Sequence, residues 1–349
     1  MIHLLVRDRH PHGGMKTYAE GLVAVAGGTV TATQLASAEG LAPVAGDCVV
    51  FDDKVGPDGL TCIKRWDRTV GGGIACGVLL HSPLLQMDLS NELERTLMLL
   101  RDRGDGKPLD FVLCAERAMS RLIRAAAPEL PTGWLPHCLP PRSLAAIPAR
   151  VRDAPPSAPR MCWLPLTFAD QDSRYRHKNT YCQLAAVMLA RDTGEAPIRV
   201  ATNFASPLLT RFAAYLAIPL QETGSMERTA FARFLDGVAL GLCVSLSESF
   251  SYNAIELMIA GIPTVFGPTL SWAWSSAELV SLCGVEDPGA IEQIAQRVRT
   301  LLAEPATYRR AAHVGWEVAA ETVEANHRRA RELIQGLADP ARRREALLR

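Results

Sequence analysis

The sequence predicts an α/β protein of two domains, and three observations carry that expectation. Short β-rich apolar bursts alternate with helical stretches from end to end, the pattern of parallel βαβ construction. The 349 residues are enough for two domains of ordinary size, each with its own core. Between Pro140 and Pro159 the chain becomes rich in Pro, Ala and Arg and loses its apolar period, which marks a linker. Domains are therefore expected over residues 1–148 and 149–318, with a helical segment over 319–349.

Strands are expected at Ile2 to Val6, Thr29 to Thr33, Cys48 to Phe51, Ile74 to Leu80 and Phe111 to Cys114, where apolar and β-branched residues cluster between turn signals. Helical spacing covers Met15 to Val25, Asn91 to Arg103 and Arg117 to Ala127. The second series runs strand Met161 to Leu166, helix Tyr181 to Ala190, strand Ile198 to Thr202, then helices Pro207 to Leu216 and Arg228 to Leu235. A strand over Gly241 to Leu246 leads through an acidic loop into a helix over Tyr252 to Ile259. That helix closes on Gly261 with Pro263 beyond it, and another strand comes after the turn. Glu292 to Leu302 and Tyr308 to Leu337 are helical.

Composition removes several functions. Lys plus Arg equals Asp plus Glu at 37 each, so no global field draws the chain to polyanions. The nine cysteines, among them Cys48, Cys76, Cys162 and Cys243, show no metal-binding spacing and read as reduced thiols of a cytoplasmic protein. Met1 to Val6 is too short for a signal-peptide core, and no apolar run reaches about 18 residues, so membrane contact would be peripheral. No Gly-x-Ser-x-Gly, Walker loop or His-Glu-x-x-His occurs, which argues against the corresponding hydrolase, P-loop and zinc chemistries.

The most informative stretch runs Glu248, Ser249, Phe250, Ser251, Tyr252, Asn253, Ala254, Ile255, Glu256. It puts one carboxylate in a loop after a strand and another on the helix beyond. Unpaired N–H groups and the positive dipole end at such a helix start suit a phosphate, and the carboxylates suit sugar or ribose hydroxyls. With Ala260, Gly261, Ile262 and Pro263 behind it, this stretch resembles the signature of retaining GT-B glycosyltransferases of family 4: two Glu eight apart, an aromatic-plus-small pair, then Ala-Gly-Ile-Pro. The resemblance is strong from about Met161 to Pro268 and weaker before it.

That resemblance implies a GT-B fold, α/β with two Rossmann-like domains facing across a cleft. The first domain would lie on the acceptor side and the second would bind the nucleotide-sugar, with a last helix crossing back over about Ala319 to Leu337. Glu248 would contact the transferred sugar and Glu256 the nucleotide ribose, while Ser249, Phe250, Ser251, Tyr252 and Asn253 line the donor. Ser251 departs from the family's usual Gly. Gly13 and Gly14 match the first glycine loop, and His81 matches a His that orients the donor sugar. Lys178 and Arg176 match the cations that neutralise the diphosphate. The family's Arg directly follows the strand, where this chain has Thr167, so Arg174 or Arg176 must substitute; His137 stands where relatives show Asn-Gly.

Asp170 and Asp172 form an Asp-x-Asp pattern, read as incidental, and Asp52 with Asp53 reads as turn chemistry. No metal and no cofactor is therefore expected, the donor substrate being a UDP- or GDP-sugar. The implied activity is hexosyl transfer to an acceptor hydroxyl, metal-independent and with retention. Rivals are a nucleotide-sugar epimerase and a GT-B-like binding module without catalysis. The favoured acceptor is a saccharide or small molecule. A lipid-linked glycan is suggested by Arg117, Arg121 and Arg124 on one helix face opposite Met119, Leu122 and Ile123. DNA bearing hydroxymethylated pyrimidines is a third option. Arg7, Arg9, Lys16, Lys64, Arg65 and Arg68 with Trp66 would supply phosphate contacts and a stacking ring, and Gly261 to Pro268 with Trp272 resembles divergent phage-encoded members.

Overall fold

A computed structural model describes residues 1–6, 14–52, 57–83, 109–145, 147, 152–156, 160–165, 177–191 and 197–348. They form two compact units, one of Met1–Pro141 with Val323–Arg349 and one of Arg142–Thr322. Each is a parallel sheet with helices between its strands.

The first unit holds β1 (Ile2–Val6), β2 (Val30–Gln34), β3 (Cys48–Asp52), β4 (Ala75–Leu80), β5 (Phe111–Cys114) and β6 (Thr132–Trp134), in the order β2-β1-β3-β4-β5-β6. β3, β4 and β5 are buried along their whole length, as their nearly continuous apolar sequences require of strands covered on both faces. Edge strand β2 exposes Thr31, Ala32 and Gln34 instead. Gly77 of β4 pairs with Phe111 of β5, and a Cβ there would run into the Phe111 ring, so this close approach needs glycine. Between the strands run α1 (Gly14–Val25), α2 (Pro57–Thr69) and α3 (Arg117–Ala126). α2 is absent from the sequence expectation because it opens Pro-Asp-Gly, a turn signal, and β6 because Thr-Gly-Trp is too short to show a period. The helix expected over Asn91 to Arg103 lies outside the described residues.

After α4 (Pro141–Ala145), the second unit contains β7 (Arg160–Trp163), α5 (Thr180–Arg191), β8 (Ile198–Thr202), α6 (Pro207–Tyr215), β9 (Leu220–Glu222), α7 (Arg228–Leu235), β10 (Val238–Cys243), α8 (Tyr252–Ile259) and β11 (Thr264–Phe266). Its sheet order is β11-β10-β7-β8-β9. Chain order therefore reverses between the neighbours β7 and β10, a topological switch point of the kind where open α/β sheets bind ligands. β10 ends at Cys243 rather than at the expected Leu246. Past Cys243 its backbone leaves the ladder: Val244 N donates to Gln183 Oε1 (2.9 Å) and Leu246 N to the His177 carbonyl (2.6 Å). Lower in β10 the register with β7 shifts between Val238 and Leu240, and the carbonyl of the intervening Ala239 accepts from Tyr308 Oη at 3.0 Å.

Helices α9 (Ser271–Trp274), α10 (Ala277–Cys283) and α11 (Ile291–Ala303) come next, then α12 (Pro305–Ala338) and α13 (Arg343–Leu348). α12 begins in the second unit and from Val323 belongs to the first, where Asn326 Nδ2 donates to the His137 carbonyl (2.9 Å). No helix among the described residues is long and apolar enough to cross a membrane.

Candidate functional site

In the second unit, the segments leaving β7 and β10 bring Lys178 and Glu248 together at the switch point. Lys178 Nζ donates to Glu248 Oε1, and Ser245 Oγ donates to the same oxygen at 3.1 Å. Gln183, in the first turn of α5, ties the two segments. Its amide nitrogen donates to the Lys178 carbonyl (2.8 Å) while its amide oxygen accepts from Val244 N. The Lys178 and Glu248 side chains are only 15% and 9% exposed, so deleting either would strand a desolvated charge, at about 3–5 kcal/mol for a buried pair. Asn179 supports the turn from a left-handed backbone (φ 54°), its Nδ2 donating to the Pro288 carbonyl at 2.5 Å.

The start of α8 lies directly after this loop. Phe250 is buried against Trp272, whose Nε1 donates to the Phe250 carbonyl at 2.7 Å, and Tyr252 meets the Phe250 ring edge-on. Ser249, Ser251, Tyr252 and Asn253 are all partly buried. Ser251, the residue departing from the family's glycine, is the N-cap of α8 and adopts a left-handed conformation (φ 57°, ψ 84°) with no side-chain capping bond. The backbone thus takes a path that glycine adopts more readily.

Glu256 is buried on α8 and ion-paired to Arg228, the first residue of α7. Burial pushes its carboxyl above the ordinary glutamate range, and Arg228 acts against that shift. Arg228 carries no signal in the sequence, since it stands 28 residues from Glu256 and no motif joins them. Gln183 and Ser245 are likewise absent from the sequence expectation; for Gln183, a polar residue on an apolar helix face was the available signal.

In the first unit, His81 lies just past β4 and Asp52 ends the adjacent β3. His81 Nδ1 lies 3.4 Å from Asp52 Oδ1, and Ser82 Oγ lies 3.4 Å from His81 Nε2. Asp52, read from sequence as turn chemistry, is an almost fully buried partner of His81. The signal was a polar residue ending an apolar strand. His137, tilted against Tyr18 at 4.8 Å, is held neutral: burial drives its pKa down to about 3, with the nearby charge of His81 a smaller cause. Gly14 is the first residue of α1. Gly13, Arg176, Arg174, Thr167, Asp53, Asp170 and Asp172 lie outside the described residues. Among the described residues no cluster of His, Cys, Asp and Glu is arranged to hold a metal.

Two supports for the other acceptors give way. Trp66, read as a base-stacking ring, is buried in the core with Phe51, Ile63 and Val78 because it lies on the inner face of α2. On α3, Met119 and Ile123 are buried, while Arg124 donates to the carbonyls of Thr132 and Leu347 and Arg117 lies 5.6 Å over the Trp134 ring. Two of the three arginines read as facing a membrane are therefore engaged within the unit. Arg7 and Arg9 lie outside the described residues.

No protein-family model matches this sequence, and no curated protein does. Solved structures match it along nearly its full length. Sucrose-phosphate synthase from Thermosynechococcus elongatus is 13% identical with a TM-score of 0.66, over 97% of this chain and 99% of that one. An α,α-trehalose-phosphate synthase (UDP-forming) from Burkholderia vietnamiensis is 12% identical with a TM-score of 0.64, over 97% and 98%. HepE from Anabaena, in complex with UDP-glucose, is 11% identical with a TM-score of 0.64, over 95% and 99%. The chain has the GT-B fold. Within that fold, Lys178, Glu248 and the start of α8 occupy the switch point of the second parallel sheet.

Proposed function

We propose that this chain is a glycosyltransferase of the family 4 type, transferring a hexosyl group from a UDP-sugar to a hydroxyl of a saccharide or small molecule, with retention and without a metal. The observation that carries the reading is Lys178 paired with Glu248 at the β7/β10 switch point, beside the N-terminus of α8. A nucleoside diphosphate leaving group gathers charge on its β-phosphate, and a preorganised cation with helix N–H groups stabilises such charge. Lys178 supplies the cation, joined in this reading by Arg176. Glu248 accepts from hydroxyls of the transferred sugar and Glu256 from the ribose, and Ser249 to Asn253 line the donor. From the first unit, the family resemblance assigns His81, oriented by Asp52, to the sugar and Gly13 with Gly14 to the glycine loop. Retention rests on the same resemblance. UDP is favoured over GDP because HepE is described with UDP-glucose and with UDP and glucose. The cytoplasmic assignment rests on nine cysteines scattered through the sequence without metal-binding spacing.

The test offers labelled UDP-sugars and GDP-sugars to a saccharide panel and, in parallel, to hydroxymethylated DNA and lipid-linked acceptors, with EDTA present. Transfer to a saccharide or small molecule is expected, and loss of activity that manganese or magnesium restores would reverse the metal-independent assignment. UDP at 100-fold its Kd should stabilise the protein by roughly 2.7 kcal/mol. If no nucleoside diphosphate raises the melting temperature and no donor is turned over, the reading fails. Glu248→Ala and His81→Ala should lower kcat strongly while UDP affinity stays within a few-fold.

A further inference from the structure

Arg228 stands outside every motif of the donor site, yet it pairs with one of the two signature carboxylates. It opens α7 after the cap residue Glu227 and reaches Glu256 through Nη1. The Glu256 side chain is 6% exposed and that of Arg228 33%, so the carboxylate is enclosed while the guanidinium keeps an outward face. α8 carries no second charged side chain and β11 none, and Lys178 and Glu248, in the segments beyond β7 and β10, pair with each other. On α12, which packs Gly315 against Met258 of α8, His313 pairs with Glu317. Arg228 is the charged group that opposes the effect of burial on Glu256 and touches it directly.

We infer that Arg228 is the positioning residue for Glu256, holding that carboxylate ionised and oriented for a ribose diol, and that it thereby sets the acid limit of nucleotide binding. The inference rests on the glycosyltransferase reading. An ionised carboxylate offers both oxygens as acceptors and makes the stronger charge-assisted bonds, whereas a protonated one loses part of that capacity. Burial alone favours the protonated form. A guanidinium, charged at every relevant pH, opposes it without titrating itself.

The test measures UDP affinity by calorimetry from about pH 5 to pH 8.5 for the wild type, Arg228→Met and Arg228→Lys, the range over which an unpaired buried glutamate titrates. Comparison with the wild type at each pH cancels the titration of the UDP phosphate. Arg228→Met should bind within a few-fold of the wild type at the alkaline end and weaken by about tenfold or more at the acid end, with Arg228→Lys restoring most of the loss. Stability should move the other way. With its pKa raised further in the fold, Glu256 costs stability when ionised, so the melting deficit of Arg228→Met is largest at alkaline pH and shrinks as pH falls. Should Arg228→Met fail to fold near neutrality, Glu256→Gln with and without Arg228→Met gives the control: weak UDP binding that Arg228 no longer influences at any pH. A UDP profile for Arg228→Met parallel to the wild type, or no recovery with Arg228→Lys, overturns the inference while leaving the glycosyltransferase reading intact. A wild type that binds no nucleoside diphosphate overturns both.

Discussion

At position 251, glycine should give a more stable protein than alanine, the reverse of the usual order in a helix. Ser251 holds φ 57° and ψ 84° at the N-cap of α8 and gains no capping bond for it. For an L-residue the left-handed region costs roughly 1–2 kcal/mol, and glycine gives back about 0.5–1 kcal/mol through the larger entropy of its unfolded chain. The serine hydroxyl is absent from both small variants, so any contact it makes is lost equally in each. Ser251→Ala is therefore the reference, since it differs from Ser251→Gly only in the Cβ. The glycine variant should exceed the alanine variant by about 0.5–1 kcal/mol, whereas at a right-handed helical site the order is reversed by a similar amount. Urea titrations monitored by circular dichroism, with equal m-values as a check, read the difference directly. If Ser251→Ala is as stable as Ser251→Gly or more so, the backbone there is not left-handed, and the structural account of this departure from the family pattern falls with it.

Lys178→Ala should lower kcat/KM by roughly 30- to 1,000-fold, the equivalent of about 2–4 kcal/mol for one preorganised group, and a change under about threefold in steady-state assays would remove Lys178 from the chemistry. Gly241→Ala would place a Cβ 2.6 Å from Thr264 Oγ1 and 2.7 Å from Leu257 Cδ1 in the packed layer under α8. It should cost about 1–3 kcal/mol in denaturant titration, and a neutral result would contradict that packing. His137, with a folded pKa of about 3 against an ordinary 6.5, contributes stability that is fully present above pH 6.5 and is lost as pH falls towards 3. Melting temperatures between these limits should fall less steeply for His137→Asn than for the wild type, and parallel curves would refute the buried neutral state.

Fold class and most of the elements were legible in local pattern alone. β1, β5, β8, α7 and α8 match their expected spans end for end, because each is a dense apolar or helix-forming run bounded by clear turn signals. Glu248, Glu256 and Lys178 stood out as well, since a strand feeding a helix start makes charge and spacing readable locally. What these residues touch is a matter of tertiary structure. The Lys178–Glu248 and Arg228–Glu256 pairs join segments 70 and 28 residues apart, and the sheet order that sets β7 beside β10 leaves no local trace. The early end of β10 was likewise invisible, because its ladder stops where Gln183 and His177 take over the backbone bonds. Trp66 shows the same limit: its place between basic residues suggested an exposed ring, and only the packing of α2 on the sheet turned it inward. Local propensity and pattern are properties of neighbours in the chain, whereas ion pairing, burial and register depend on which distant segments the sheet order sets side by side.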